Sequence, residues 1–113
     1  MMRKKTRLIS RIEEIILLSI WKLQENAYGI TILEEVTKAT GKTWLTGSIY
    51  ASLSRLLKRG FVVSYEGDPT PERGGRRKIF YKLTPQGQRS LMEIKRIHSI
   101  AWANLPAFDL EEK

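Results

Sequence analysis

At 113 residues, with 42% hydrophobic and 28% charged side chains, the sequence suits one small domain with a modest core and excludes two full ones. Twenty Lys and Arg against twelve Asp and Glu give a formal charge of +8, which favours a polyanion, nucleic acid or an anionic membrane surface, over a neutral substrate. With no cysteine and a single histidine, His98, disulfides, thiolate nucleophiles and sulfur-ligated zinc are excluded, and neither a metal nor a cofactor is expected.

Arg3, Lys4, Lys5 and Arg7 precede the apolar run Ile15 to Leu23, an order that imitates a signal peptide. Arg11, Glu13, Glu14 and Lys22 interrupt it, no small-residue cleavage pattern follows, and the run is shorter than the roughly 20 residues of a membrane-spanning helix. A cytoplasmic protein without membrane attachment is expected.

Residues 8–24 form the first predicted helix. Leu8, Ile12, Ile15 and Ile16 keep a helical period, while Leu17 to Trp21 spread the apolar surface most of the way round. Such a helix needs its own core on one side and a second copy of the chain on another. After the break at residues 26–29, Ile30, Leu33, Val36 and Ala39 mark a second helix ended by Gly41. Thr46 is placed as N-cap of a third helix that reaches Arg59 and stops at Gly60. The period then moves toward two: Phe61, Val63 and Tyr65, and later Ile79, Tyr81 and Leu83, predict two antiparallel strands. The loop between them carries Pro69, Pro71, Gly74 and Gly75. Thr84 and Pro85 start a fourth helix, in which Leu91, Ile94, His98, Ala101 and Leu105 recur at helix-seam spacing before Pro106.

This order predicts an α+β, mostly α, winged helix-turn-helix domain over residues 1–83. A C-terminal dimerisation helix follows over 84–106, and a disordered tail over 107–113.

On the third helix Ile49, Leu53, Leu56 and Leu57 fall to one side, and Gly47, Ser48, Ala51, Ser54, Arg55 and Lys58 to the other. A helix entering the DNA major groove by its N-terminal end needs short side chains there and longer cations further on, which is this gradient. Thr46, Ser48, Tyr50, Ala51, Ser54, Arg55 and Lys58 are therefore the candidate DNA contacts of this helix, with Arg55 and Lys58 assigned to phosphates and Tyr50 to its flank. A plain solvated face also explains such a helix. The hairpin tips the balance, because Arg73, Arg76, Arg77 and Lys78 gather at a glycine-bounded loop suited to a phosphate backbone or minor groove. Lys4, Lys5, Arg7 and Arg11 fit a DNA contact and a solvated tail equally.

Catalytic readings fail on spacing. Gly41, Lys42 and Thr43 end like a phosphate-binding loop, but Val36 stands where its first glycine belongs. Glu13 with Glu14, and Glu34 with Glu35, diverge by about 100 degrees on a helix and read as surface charge. His98 has no relay partners, and Ser48, Ser52 and Ser54 lack a base. No enzyme is expected.

Tyr28, Gly29 and Ile30, then Gly47, Ser48, Ile49, Tyr50, Leu53, Arg55 and Leu56, resemble the PadR family of transcriptional regulators. So do Gly60, Phe61 and Val62, the tract Pro69 to Gly75 with Tyr81, and Leu83, Thr84, Pro85 and Gly87. The resemblance implies a winged-helix repressor that works as a homodimer, with the third helix as recognition helix and the wing on the DNA backbone. Only about twenty residues follow Leu91, so it implies the short type with one terminal helix. Dimer contacts then fall to Ile9, Ile12 and Ile16 with Leu91, Ile94, His98, Ala101, Trp102 and Leu105. Because some relatives bind flat aromatic compounds or phenolic acids, the resemblance also puts Trp21 and Trp102 forward as pocket walls for a small aromatic effector, interface packing being the plainer reading. Trp44 is expected to cover the second and third helices. The expected function is a sequence-specific, double-stranded-DNA-binding regulator, a repressor acting as a homodimer on a palindromic operator. The alternatives are a sequence-indifferent architectural coating protein and a scaffold that binds protein through the hairpin.

Overall fold

The computed structural model describes residues 9–68 and 77–111. Leu8, the basic residues Lys4, Lys5 and Arg7, the Pro69 to Gly75 tract and the wing cations Arg73 and Arg76 lie outside the described residues. Helices α1 (Arg11–Leu23), α2 (Gly29–Thr40) and α3 (Thr46–Lys58) precede strands β1 (Val62–Glu66) and β2 (Ile79–Leu83), and α4 (Pro85–Trp102) closes the order. This is the predicted winged helix-turn-helix with a terminal helix.

Helix α1 begins at a capping box. The Glu13 amide donates to Ser10 Oγ at 3.2 Å and the Ser10 amide to Glu13 Oε1 at 2.9 Å, so two amides left free by the helix end are paired. Ile16, Leu17 and Ile20 point inward and join Ile32, Val36, Ile49, Leu53 and Leu56 in a continuous core. Ile16, expected at a dimer interface, is thus fully buried in its own chain and has no surface to offer a partner. Ile9 and Ile12 are half-buried against the same core. The apolar surface that α1 does expose is Leu18 and Trp21, 40% and 50% accessible.

A single 3-10 turn, Gln24–Asn26, leads into α2, where Thr31 Oγ1 accepts the Tyr28 amide at 3.0 Å. Gly41, at φ +68°, takes the left-handed cap of α2. Trp44 lies half-buried on the core with its indole N–H donating to Thr40 Oγ1 at 2.8 Å, the covering role expected of it. Thr46 is the first residue of α3 rather than its N-cap; Leu45 holds that position without a side-chain bond.

The strands pair antiparallel from Val62 opposite Leu83 to Glu66 opposite Ile79. Residues directly opposite share a face, so Val62, Leu83 and Tyr81 turn into the core while Tyr65 and Phe80 stack on the far side with ring centroids 5.6 Å apart. The Tyr81 amide donates to Ala27 O at 2.8 Å, which hooks the wing to the turn after α1. Thr84 caps α4 by accepting the Gly87 amide at 3.0 Å and donates its hydroxyl to Gly60 O at 2.7 Å. A Cβ on Gly87 would stand 2.2 Å from the Phe61 carbonyl, so only glycine allows α4 to approach this closely. Beyond that junction α4 runs outward with Gly87 as its one buried residue. Residues 103–111 form neither helix nor strand, and the Phe108 ring meets Trp102 edge-on at 6.3 Å. Among the described residues no helix is long and apolar enough to cross a membrane.

Candidate nucleic-acid interface

Burial sorts α3 into two faces by period alone. Ile49, Leu53 and Leu56 turn inward with Ser52, whereas Thr46, Gly47, Ser48, Ala51, Ser54 and Lys58 are exposed. The outer edge is therefore narrow over its first two turns and carries a cation in its last. Nothing from α1, α2 or the described part of the wing covers it.

Two of the predicted contacts on this helix are engaged within the chain. The Tyr50 hydroxyl stands over Gly29, where a Cβ would come within 2.0 Å of it. That close approach sets the spacing between the start of α2 and α3, so Tyr50 packs one helix of the motif on the other. Arg55 lies back toward α1: its Nη2 donates to Ser52 Oγ at 2.9 Å and its Nε is 3.5 Å from Glu13 Oε2. A shallow groove of about 270 Å³ opens beside it, lined by Ile12, Trp44, Ser48, Ala51, Ser52 and Arg55.

Glu13 is the residue of this region that charge patterning misplaced. Expected as surface charge, it is 4% exposed, with Arg55 on Oε2 and Arg59 Nη1 at 3.6 Å from Oε1. Burial alone pushes its carboxyl upward, but the Ser10 hydrogen bonds and the two guanidiniums outweigh burial and hold its pKa below the ordinary 4.5. The signal that finds it is Ser10 followed three residues later by Glu13, the capping box. Glu14 is partly covered as well, 3.9 Å from Arg11 Nε and 3.8 Å from His98 Nε2.

At the base of the wing, Lys78 Nζ sits 4.3 Å above the Tyr28 ring, and Phe80 meets that ring edge-on at 5.4 Å. Lys78 is thereby half-buried as a clamp between wing and α2, not displayed at the tip as the sequence suggested. Arg77 is more exposed, with Nη1 3.8 Å from Glu66 Oε1, an ion pair that solvent screens.

The other candidate surface lies between α1 and α4. Leu91, Ile94 and His98 are half-buried there, while Ala101, Trp102 and Leu105 are exposed further along the chain. A largely apolar groove of about 630 Å³ runs between the helices, walled by Leu18, Trp21, Leu91, Met92, Lys95 and His98. Trp21 is in this wall. Trp102 is not; its ring lies beyond the groove against Phe108. Among the described residues no cluster of side chains could hold a metal ion.

The family model of PadR-like transcriptional regulators matches residues 17–93, from the middle of α1 to the first half of α4. No curated protein matches the chain. Among solved structures, a transcriptional regulator from Thermoplasma acidophilum is 26% identical, with a TM-score of 0.68 over 80% of this chain and 82% of its own. A PadR family regulator from Clostridium difficile is 22% identical, with a TM-score of 0.67 over 81% of this chain and 91% of its own. RosR from H. salinarum is 20% identical, with a TM-score of 0.72 over 90% of this chain and 84% of its own.

Proposed function

Because this chain belongs to the PadR-like family of transcriptional regulators, we propose that it is a sequence-specific DNA-binding repressor that acts as a homodimer on a two-fold symmetric operator. The observation that carries this reading is the uncovered outer edge of α3, small at Ser48 and Ala51 and basic at Lys58. A backbone that can come this close to base edges lets Ser48 and Ser54 meet them, while Lys58 and the wing cations neutralise phosphates. Two such edges held about 34 Å apart by a symmetric dimer read half-sites one helical turn apart. The dimer forms through the exposed apolar face of α4 together with Leu18 and Trp21 of α1, because these surfaces are too large and too apolar to be left in water. Repression follows from occupancy of the operator, in the cytoplasm where the DNA is.

The groove between α1 and α4, of a size usual for small-molecule sites, is the place for a flat aromatic effector, with Trp21 as its wall.

Selection of bound sequences from a random double-stranded pool tests the reading. A palindromic motif with half-sites about 10 base pairs apart is the expected result. Retention of DNA with no enriched sequence would instead make the protein a sequence-indifferent coat, and no retention at all would leave the hairpin to a protein partner.

A further inference from the structure

We propose that Glu13 is a positioning residue for DNA recognition: it holds Arg55 away from the DNA backbone and ties the last turns of the recognition helix to the cap of α1. The inference rests on the DNA-binding reading of α3 and specifies how that surface is tuned.

Arg55 stands on the exposed side of α3 by sequence period, seven residues beyond Ser48, where a cation would meet phosphate. Its guanidinium nevertheless turns inward, to Ser52 Oγ at 2.9 Å and to Glu13 Oε2 at 3.5 Å. Glu13 is held in place independently, since its Oε1 accepts the Ser10 amide at 2.9 Å and its own amide donates to Ser10 Oγ. The same carboxylate reaches Arg59 Nη1 at 3.6 Å, and the Arg59 guanidinium lies 4.8 Å from the centre of the Phe61 ring. One buried anion therefore joins α1, both guanidiniums at the end of α3 and the start of the wing.

The consequence is a division of labour among cations. Among the described residues Lys58 has no hydrogen-bond or ion-pair partner and it is exposed, so it serves phosphate. Arg55 is half exposed yet electrostatically spent on Glu13, which lowers the cationic charge that any DNA sequence would feel. Phosphate attraction is blind to sequence, so restraint of Arg55 lowers affinity for random and operator DNA by a similar factor and lessens the salt dependence of both.

Glu13→Gln tests this with little change of shape, because the amide oxygen can still accept from Ser10 while the charge that holds both arginines is removed. The protein is titrated with random duplex DNA and with its selected site at several salt concentrations, and melting with far-UV circular dichroism checks the fold. For Glu13→Gln the salt slope on random DNA is expected to steepen by about 0.9 per protomer, the released cation on the DNA-facing side being Arg55, and affinity for random and selected DNA to rise by a similar factor. Arg55→Gln is expected to leave the wild-type slope unchanged and, combined with Glu13→Gln, to abolish the gain. A Glu13→Gln slope equal to wild type, or a loss of about 0.9 per protomer for Arg55→Gln alone, overturns the proposal. If Glu13→Gln does not fold, the Arg55→Gln slope decides. Wild-type protein that binds no DNA defeats the functional reading as a whole, whereas binding with the wrong slopes defeats this inference only.

Discussion

Gly29 and Tyr50 show how the proposed reading surface depends on a contact inside the chain. A Cβ on Gly29 would sit 2.0 Å from the Tyr50 hydroxyl and 2.6 Å from Cζ, so in Gly29→Ala the Tyr50 ring, or α3 with it, must shift. The expected cost is about 1–3 kcal/mol, read by chemical denaturation. In a Tyr50→Ala background the obstruction is gone and the same change costs less; equal costs in both backgrounds would place the strain elsewhere. Glu13 gives the second residue-scale expectation. Its folded pKa lies below the ordinary 4.5, so its ionised form contributes stability above that value, and the contribution disappears as pH falls through the lowered folded value. Acid unfolding of Glu13→Gln should lack this component, which a comparison of denaturant midpoints across the acid range checks. None of this was legible from charge patterning, which treats Glu13 and Glu14 alike. In the structure Glu13 shares the inward face of α1 with Ile16, Leu17 and Ile20, and the packing of α3 against α1 brings Arg55 and Arg59 to it.

At the scale of elements, periodicity was a good guide wherever one face meets one core. The split of α3 into Ile49, Leu53 and Leu56 against Ser48, Ala51, Ser54 and Lys58 follows from a 100 degree step and is what the structure contains. Residues apolar on all sides misled it: in α1 the period could not say which of Ile16, Leu18 and Trp21 would turn out, and Ile16 went inward. Nor could composition foresee that Lys78 would clamp Tyr28, a contact made only once β2 lies beside the turn after α1. The faces of α3 lead to an expectation by element. Ser48→Ala should change the ranking of DNA sequences, because in the proposed complex a hydroxyl at the narrow edge meets bases. Lys58→Ala should weaken all sequences by a similar factor and flatten the salt slope by about 0.9 per protomer. Binding assays on the selected site and on single-base variants check both, and equal relative losses across all sequences for Ser48→Ala would remove the reading role from α3.

For the whole molecule, the outward run of α4 matters most. Met92, Ile100 and Trp102 are each more than 60% exposed, an apolar surface unusual for a protein that stays single in water. Ile100→Asp is therefore expected to shift sedimentation toward a single chain and to cost operator binding by separating the two edges, while the melting of the winged-helix core changes little. The order of three helices, hairpin and terminal helix was legible because each element has its own period and its own stop signal. The orientation of α4 was not, since it depends on the approach of Gly87 to the Phe61 carbonyl across two elements. If a dimer neutralises about 6–10 phosphates, its affinity should fall by about three to five decades between 50 and 200 mM salt.

The chain contains no cysteine, so Ala51→Cys creates a single handle on the exposed edge of α3 for a tethered source of hydroxyl radicals. Bound to the selected site, this probe should cut the DNA at two places about one helical turn apart and related by the symmetry of the motif. Diffuse cleavage, no stronger than from the same probe at Lys38→Cys on α2, would contradict the account.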